Sequence, residues 1–201
     1  SPLVLVAPAH AAGATARDVL ANARNAGNTW NYGTPGNGTV GHLGMELIKS
    51  KTGITAIHVP FPGNPQVVNA LLGGQLQLAL LPPGLAAPHI KAGKLKAVGI
   101  TSMGRSSLVP DMPTLRDADV RGAELEIWTA AVGPANLPKP IAARLSAALV
   151  EAIRSAEVRQ RLLNVGWQAV GTSPEGLANR MKADTAVLGG IIQMRGITAA
   201  S

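Results

Sequence analysis

The segment Trp30-Asn31-Tyr32-Gly33-Thr34-Pro35-Gly36-Asn37-Gly38-Thr39-Val40-Gly41-His42-Leu43 limits the possible folds of this chain more than any other. It reads as a short strand, a glycine-rich loop and a helix that starts near Thr39. A strand that runs straight into a helix belongs to an α/β layout, in which strands and helices alternate. Gly33, Gly36, Gly38 and Gly41 leave out side chains where a backbone could approach a ligand closely. The helix start offers unpaired N–H groups and a partial positive charge. Those are the elements of an anion-binding site.

The first hundred residues repeat the alternation. Residues 3–7 form an apolar strand ended by Pro8. Thr15, with Asp18 three residues on, starts a helix that runs to about Asn25 and stops at Gly27. Residues 29–32 are the strand before the glycine loop. Val40, Leu43, Leu47 and Ile48 share one face of the next helix, which Gly53 ends. Residues 54–59 alternate as a strand, and Pro60-Phe61-Pro62-Gly63 is a turn. Asn64 caps a helix with Pro65 at its first position. Residues 76–81 are a strand, 84–91 a short helix and 95–100 another strand. Right-handed crossovers in such an open sheet gather the loops that follow the strands along one edge. The glycine loop, the turn at 60–63 and residues 82–84 share that edge in this reading.

Residues 101–123 are irregular, with a cap at Thr114. Residues 124–132 read as a strand, 134–140 as a proline-rich turn and 167–170 as a brief strand. Ile141, Leu145, Leu149 and Ile153 mark a helix over 140–154. A basic helix covers 156–164, and Ser173 caps a last one over 174–195.

Hydrophobic residues make up 46% of the 201, but the aromatics are only Trp30, Trp128, Trp167, Tyr32 and Phe61. The core must be built of Ala, Val, Leu and Ile. The net charge is +7, from eighteen scattered Lys and Arg residues with no aromatics interleaved. That pattern suits a small anionic ligand and not a nucleic acid. The absence of cysteine excludes disulfides, zinc–thiolate sites and cysteine nucleophiles. No apolar run approaches a membrane span. No signal peptide is visible, and the strand-like opening at Ser1 reads as a processed or trimmed piece.

Gly36-x-Gly38-x-x-Gly41 matches the dinucleotide fingerprint in form, but residues 54–63 lack the acidic group that would hold a ribose hydroxyl. A phosphate loop would need Lys where Thr39 stands. Two readings remain. One is a small-anion pocket that uses the hydroxyls of Thr34 and Thr39 and the N–H groups of the loop. The other is a helix cap whose glycines serve tight packing. His42 either helps to hold a carboxylate or packs on the helix, and His58 reads as structural. The four histidines match no metal spacing, and no cofactor is expected. There is no nucleophile elbow and no carboxylate pair on a loop after a strand, so acid–base chemistry has no candidate. A dinucleotide oxidoreductase remains the alternative class.

Several motifs stand in order along nearly the whole chain. They are residues 31–39 followed by His42-Leu43, then His58-Val59-Pro60-Phe61, Leu71-Leu72-Gly73-Gly74-Gln75-Leu76, residues 88–98, residues 109–114 and Gly171-Thr172-Ser173-Pro174-Glu175. In these the chain resembles the Bug-type, TctC-like substrate-binding proteins of tripartite tricarboxylate transporters. The resemblance implies an α/β, periplasmic-binding-protein-like (type II) open sheet with flanking helices and two lobes. Residues 1–124 would be lobe two, the ligand-binding domain. Residues 125–201 would be the mostly helical C-terminal part of lobe one, whose first part is missing. The implied function is an extracytoplasmic, periplasmic solute receptor that binds a small organic carboxylate and delivers it to the membrane subunits of a transporter. A sensor module without a transport role would use the same pocket.

Carried over from the family, backbone capture of a carboxylate falls on Gly33, Thr34, Pro35, Gly36, Gly38 and Thr39. Tyr32, His42, Phe61, Leu81 and Pro82 complete the expected ligand contacts. The chain departs from the family where Phe61 is followed by Pro62 in place of Lys, and where Leu81-Pro82-Pro83 lacks an acidic residue. The departures imply a less polar distal pocket, suited to an aromatic or aliphatic monocarboxylate, or to a dicarboxylate read mainly at one end. Loss of lobe-one partners implies exposed apolar surface on 125–201, hence a domain-swapped or oligomeric form.

Overall fold

Local signals set most of the elements. The structure, a computed structural model, describes residues 1–198. Strand β1 is Val4–Pro8. Helix α1, Ala16–Asn25, starts at a capping box in which the Thr15 hydroxyl accepts from Asp18 N and the Asp18 carboxylate accepts from Thr15 N. Strand β2 is Asn31–Thr34. Helix α2, Val40–Thr52, runs from a Thr39 cap to Gly53, which takes the left-handed conformation at φ 73°. Then come β3 (Ile57–Pro60), α3 (Asn64–Leu72), β4 (Leu78–Leu81), α4 (Pro83–Lys91) and β5 (Leu95–Ile100). The cap of α3 is Gly63, one residue before the expected Asn64. A 3₁₀ turn, Leu115–Ala118, repeats the capping box with Thr114 and Asp117. Helices α5 (Lys139–Arg154), α6 (Ala156–Asn164) and α7 (Pro174–Arg195) complete the chain.

The five strands form one mixed sheet in the order β3-β2-β4-β1-β5. β2 is parallel to β3 and β4, while β1 is antiparallel to both β4 and β5. So β2 to β5 share a direction and β1 alone is reversed, which corrects the uniform crossover pattern expected from the sequence. The C-terminal ends of β2, β3 and β4 lie on one edge, as expected.

Side chains alternate between two core layers, as strand geometry demands. Leu3, Leu5, Ala7, Leu78 and Leu80 pack with Met45, Leu47 and Ile48 of α2 on one face. Val4, Val6, Ala79 and Leu81 pack with Val67, Val68 and Leu71 of α3 on the other. Thr101, just after β5, accepts from Leu3 N and donates to Leu125 O, which ties the chain's return to the sheet.

Two expected strands do not form. Over 124–132 only Glu126 makes a ladder bridge, with Pro2, and Val132 is 86% exposed. Residues 167–170 are irregular. An alternating apolar pattern becomes a strand only where a neighbour offers a free edge, and neither segment has one beyond that bridge. Helix α7 docks on α2 through buried Ile191. On α5 the stripe Ile141, Leu145 and Leu149 is about half exposed.

Candidate anion site

The glycine loop leaves β2 at Thr34, whose carbonyl accepts from Phe61 N at 2.8 Å and so joins the ends of β2 and β3. Gly36 (φ 131°) and Gly38 (φ 70°) take conformations that side chains rarely adopt. A Cβ on Gly36 would meet nothing nearer than 3.7 Å, and one on Gly38 would stand in open space. Their backbone angles require glycine; crowding does not. The Thr39 hydroxyl donates to Gly36 O at 2.8 Å and accepts from His42 N at 3.4 Å. Gly38 N donates to His42 Nδ1 at 3.1 Å. Among the described residues, the N–H groups of Asn37, Thr39, Val40 and Gly41 find no protein partner. Asn37 is exposed, Thr39 and Val40 are half-buried and Gly41 is buried. Several donors therefore stand at the positive end of a 13-residue helix, on the C-terminal edge of a parallel set of strands.

A polar stack supports the loop from inside. The rings of His42 and His58 lie 3.9 Å apart at 15°, and Tyr32 stacks on His58 at 5.0 Å. His58 Nε2 and Thr34 Oγ1 are 2.6 Å apart. The Tyr32 hydroxyl donates to Glu46 Oε1 at 2.6 Å. Lys49 Nζ meets the same oxygen at 2.5 Å, and Arg195 Nε of α7 reaches Glu46 Oε2 at 2.9 Å. Burial on its own would raise the Glu46 pKa, but hydrogen bonds from Lys49 and Tyr32 and the charges of Lys49 and Arg195 hold it below the ordinary value. Burial, then the neighbouring His42, lowers His58 to about 4. Burial also lowers His42, and burial with the Glu46 hydrogen bond raises Tyr32.

Pro35, Gly36, Gly38 and Thr39 lie at the accessible loop, and Phe61 and Pro82 sit half-buried along the same edge. Other expected contacts point inward. Tyr32 and Leu81 are wholly buried, so their side chains are packing groups. Gly33 serves close packing as well: a Cβ there would stand 2.2 Å from Leu76 Cδ1. His42 is 6% exposed, with Nδ1 committed to Gly38. Asn37 in the loop, and Glu46, Lys49 and Arg195 behind it, are not singled out by the sequence reading, whereas His58, read as structural, stands in the supporting stack. The pairing of Tyr32 with His58 in the β2–β3 register brings the rings together and is not written in either segment alone. A hollow of about 380 Å³ lies further along the edge, between residues 82–85 and 164–167, and the glycine loop is outside it. Among the described residues no cluster of three or more His, Asp or Glu could hold a metal, and no helix is long and apolar enough to cross a membrane.

The structure of Rpa4515 from Rhodopseudomonas palustris with adipate superposes on 98% of this chain with a TM-score of 0.84 at 24% identity. MatC from the same organism, with bound malate, covers 95% at a TM-score of 0.80 and 26% identity. The chain spans 66% of each of those structures. Among curated relatives, a "UPF0065 protein in tcbD-tcbE intergenic region" of Pseudomonas sp. strain P51 is 29% identical over 92% of this chain. BugT of Bordetella pertussis is 28% identical over 69% of it. The chain spans about half the length of these relatives, 55% and 42% respectively. The family model described as "Tripartite tricarboxylate transporter family receptor" matches residues 1–197. On that match, which takes in both the sheet with its glycine loop and helices α5 to α7, the chain belongs to the tripartite tricarboxylate transporter receptor family.

Proposed function

We propose that this chain forms the ligand-holding part of a periplasmic solute receptor that captures a small organic carboxylate and delivers it to the membrane subunits of a tripartite transporter. The observation that carries this reading is the set of unpaired N–H groups at residues 37 and 39–41, aimed from the positive end of α2. MatC, of the same fold and with bound malate, supports the ligand class. In this reading residues 1–124 are lobe two and 125–201 are part of lobe one, with the ligand held between the lobes. Phe61 and Pro82 form the apolar far wall, which favours a monocarboxylate, or a dicarboxylate read at one end.

The energies fit. Micromolar affinity requires about 8 kcal/mol. Four hydrogen bonds to a charged acceptor at about 1.5–3 kcal/mol each reach that in gross terms, before the cost of association is subtracted. One face of the cleft therefore binds weakly, and a second face that excludes water supplies the rest. The half-exposed stripe on α5 supports self-association of this chain, which light scattering reads.

Calorimetry against malate, benzoate, glutamate and the methyl ester of benzoate tests the assignment. Heat from malate or benzoate, with none from the ester, is the expected result. Binding of glutamate alone overturns the apolar far wall, and binding of no carboxylate overturns the receptor reading.

A further inference from the structure

We infer that His42 and His58 are positioning residues of the anion site: stacked as neutral imidazoles, they fix Gly38 and Thr34, the two ends of the glycine loop. The inference rests on the loop being the carboxylate site. His42 Nδ1 accepts the Gly38 N–H at 3.1 Å, so the ring's proton sits on Nε2. A doubly protonated ring would set N–H against N–H, and the bond would be lost. His58 Nε2 lies 2.6 Å from Thr34 Oγ1, and that oxygen also meets Gly36 O at 3.2 Å and Gly36 N at 3.4 Å. The two rings, 3.9 Å apart, thus anchor the loop at its entry and near its exit into α2.

The surroundings keep the pair uncharged. His42 is 6% exposed, and Tyr32, stacked on His58, is wholly buried. The charged and titratable groups around the pair are Tyr32, Glu46, Lys49 and, from α7, Arg195. Glu46 favours protonation of both histidines, but its carboxylate is already shared by two cations and the Tyr32 hydroxyl. Burial and Lys49 oppose protonation of both rings, and for His58 the neighbouring His42 opposes it too. With the loop's donors aimed by these rings, protonation of the pair releases Gly38 and loosens the donor set. The receptor then holds its anion at neutral pH and lets it go on acidification.

The test compares His42→Asn, whose Oδ1 can replace Nδ1 as acceptor, with His42→Leu, which keeps bulk and loses the acceptor. Calorimetry with benzoate and malate near pH 7.5 reads affinity, and nitrogen-15 spectra of the imidazoles and of the Gly38 amide read the clamp without ligand. Expected are at least about a tenfold loss for His42→Leu and no more than about a threefold loss for His42→Asn, since acceptor loss removes one charge-relevant donor geometry. Unliganded wild-type protein should show an unprotonated Nδ1 on His42, and a Gly38 amide shift that moves as that ring titrates. His58→Gln, which can replace Nε2, should retain affinity in the same way.

Benzoate affinity of His42→Leu within about twofold of wild type overturns the inference. So does a His42→Asn variant as weak as His42→Leu, or a proton found on His42 Nδ1 at neutral pH. If wild type binds neither anion, the carboxylate reading fails, while the nitrogen spectra still judge the clamp. If His42→Leu does not fold, His42→Asn and the spectra decide.

Discussion

Glu46 is the keystone of the polar stack, and its removal has a calculable cost. It is 5% exposed, takes hydrogen bonds from Tyr32 and Lys49, and forms an ion pair with Arg195. Replacing it by alanine strands the Lys49 ammonium, whose side chain is 12% exposed, and orphans the Tyr32 hydroxyl. Arg195, at 37%, recovers water and contributes little. Breaking a buried pair from one side costs about 3–5 kcal/mol. In a chain of this size that lowers Tm by about 2–4 °C per kcal/mol, so by about 6–20 °C. Tyr32→Phe in the wild-type background loses one hydrogen bond to a charged acceptor, about 1.5–3 kcal/mol. In the Glu46→Ala background the hydroxyl has no partner, and its loss is neutral or stabilising. The cycle, measured by urea unfolding at pH 7, should give a coupling of about 1.5–3 kcal/mol. A coupling under about 0.5 kcal/mol, or a Glu46→Ala cost under about 1 kcal/mol, refutes the keystone role of Glu46.

Thr101→Val keeps the shape of a residue 1% exposed but leaves Leu3 N–H and Leu125 C=O without their bridge; the expected loss is about 2–4 kcal/mol by urea unfolding, and under about 1 kcal/mol contradicts it. The depressed His58 pKa makes stability depend on pH. The folded state takes up that proton near 4 and the unfolded chain near 6.5, so between them the unfolded state binds more protons and stability falls as pH drops through that window. His58→Gln should flatten the fall, and a wild-type stability that is level from pH 6.5 to 4 excludes the buried neutral ring.

The helix ends were legible because capping is local. Thr15 with Asp18, Thr39 with Gly53, Thr114, and Ser173 each stand where the structure uses them. The direction of β1 was not legible, because an alternating apolar strand reads the same both ways. Only the pairing of Val4 with Leu81 and with Ile100, far along the chain, reveals the reversal. The same blindness made a strand of 124–132, where a single bridge forms. In that segment the pattern is present and the partner edge is not.

The loop was legible for the reason that its glycines and its cap are local too. Which side chains face outward was not, since Tyr32 meets His58 only through strand register, 26 residues on. That hidden contact changes how the proposed site would attract an anion. One carboxylate, Glu46, stands against two cations, Lys49 and Arg195, so the network carries a single surplus positive charge behind the rings. No cationic side chain lies within residues 31–48 to meet a ligand directly, because every Lys and Arg of the chain falls outside them. In the proposed receptor the anion is held by oriented amide dipoles, and the network's charge and the chain's +7 act on it from a distance. Long-range attraction is screened by salt, while short N–H bonds in a closed cleft are screened much less. Salt should therefore slow capture far more than it speeds release.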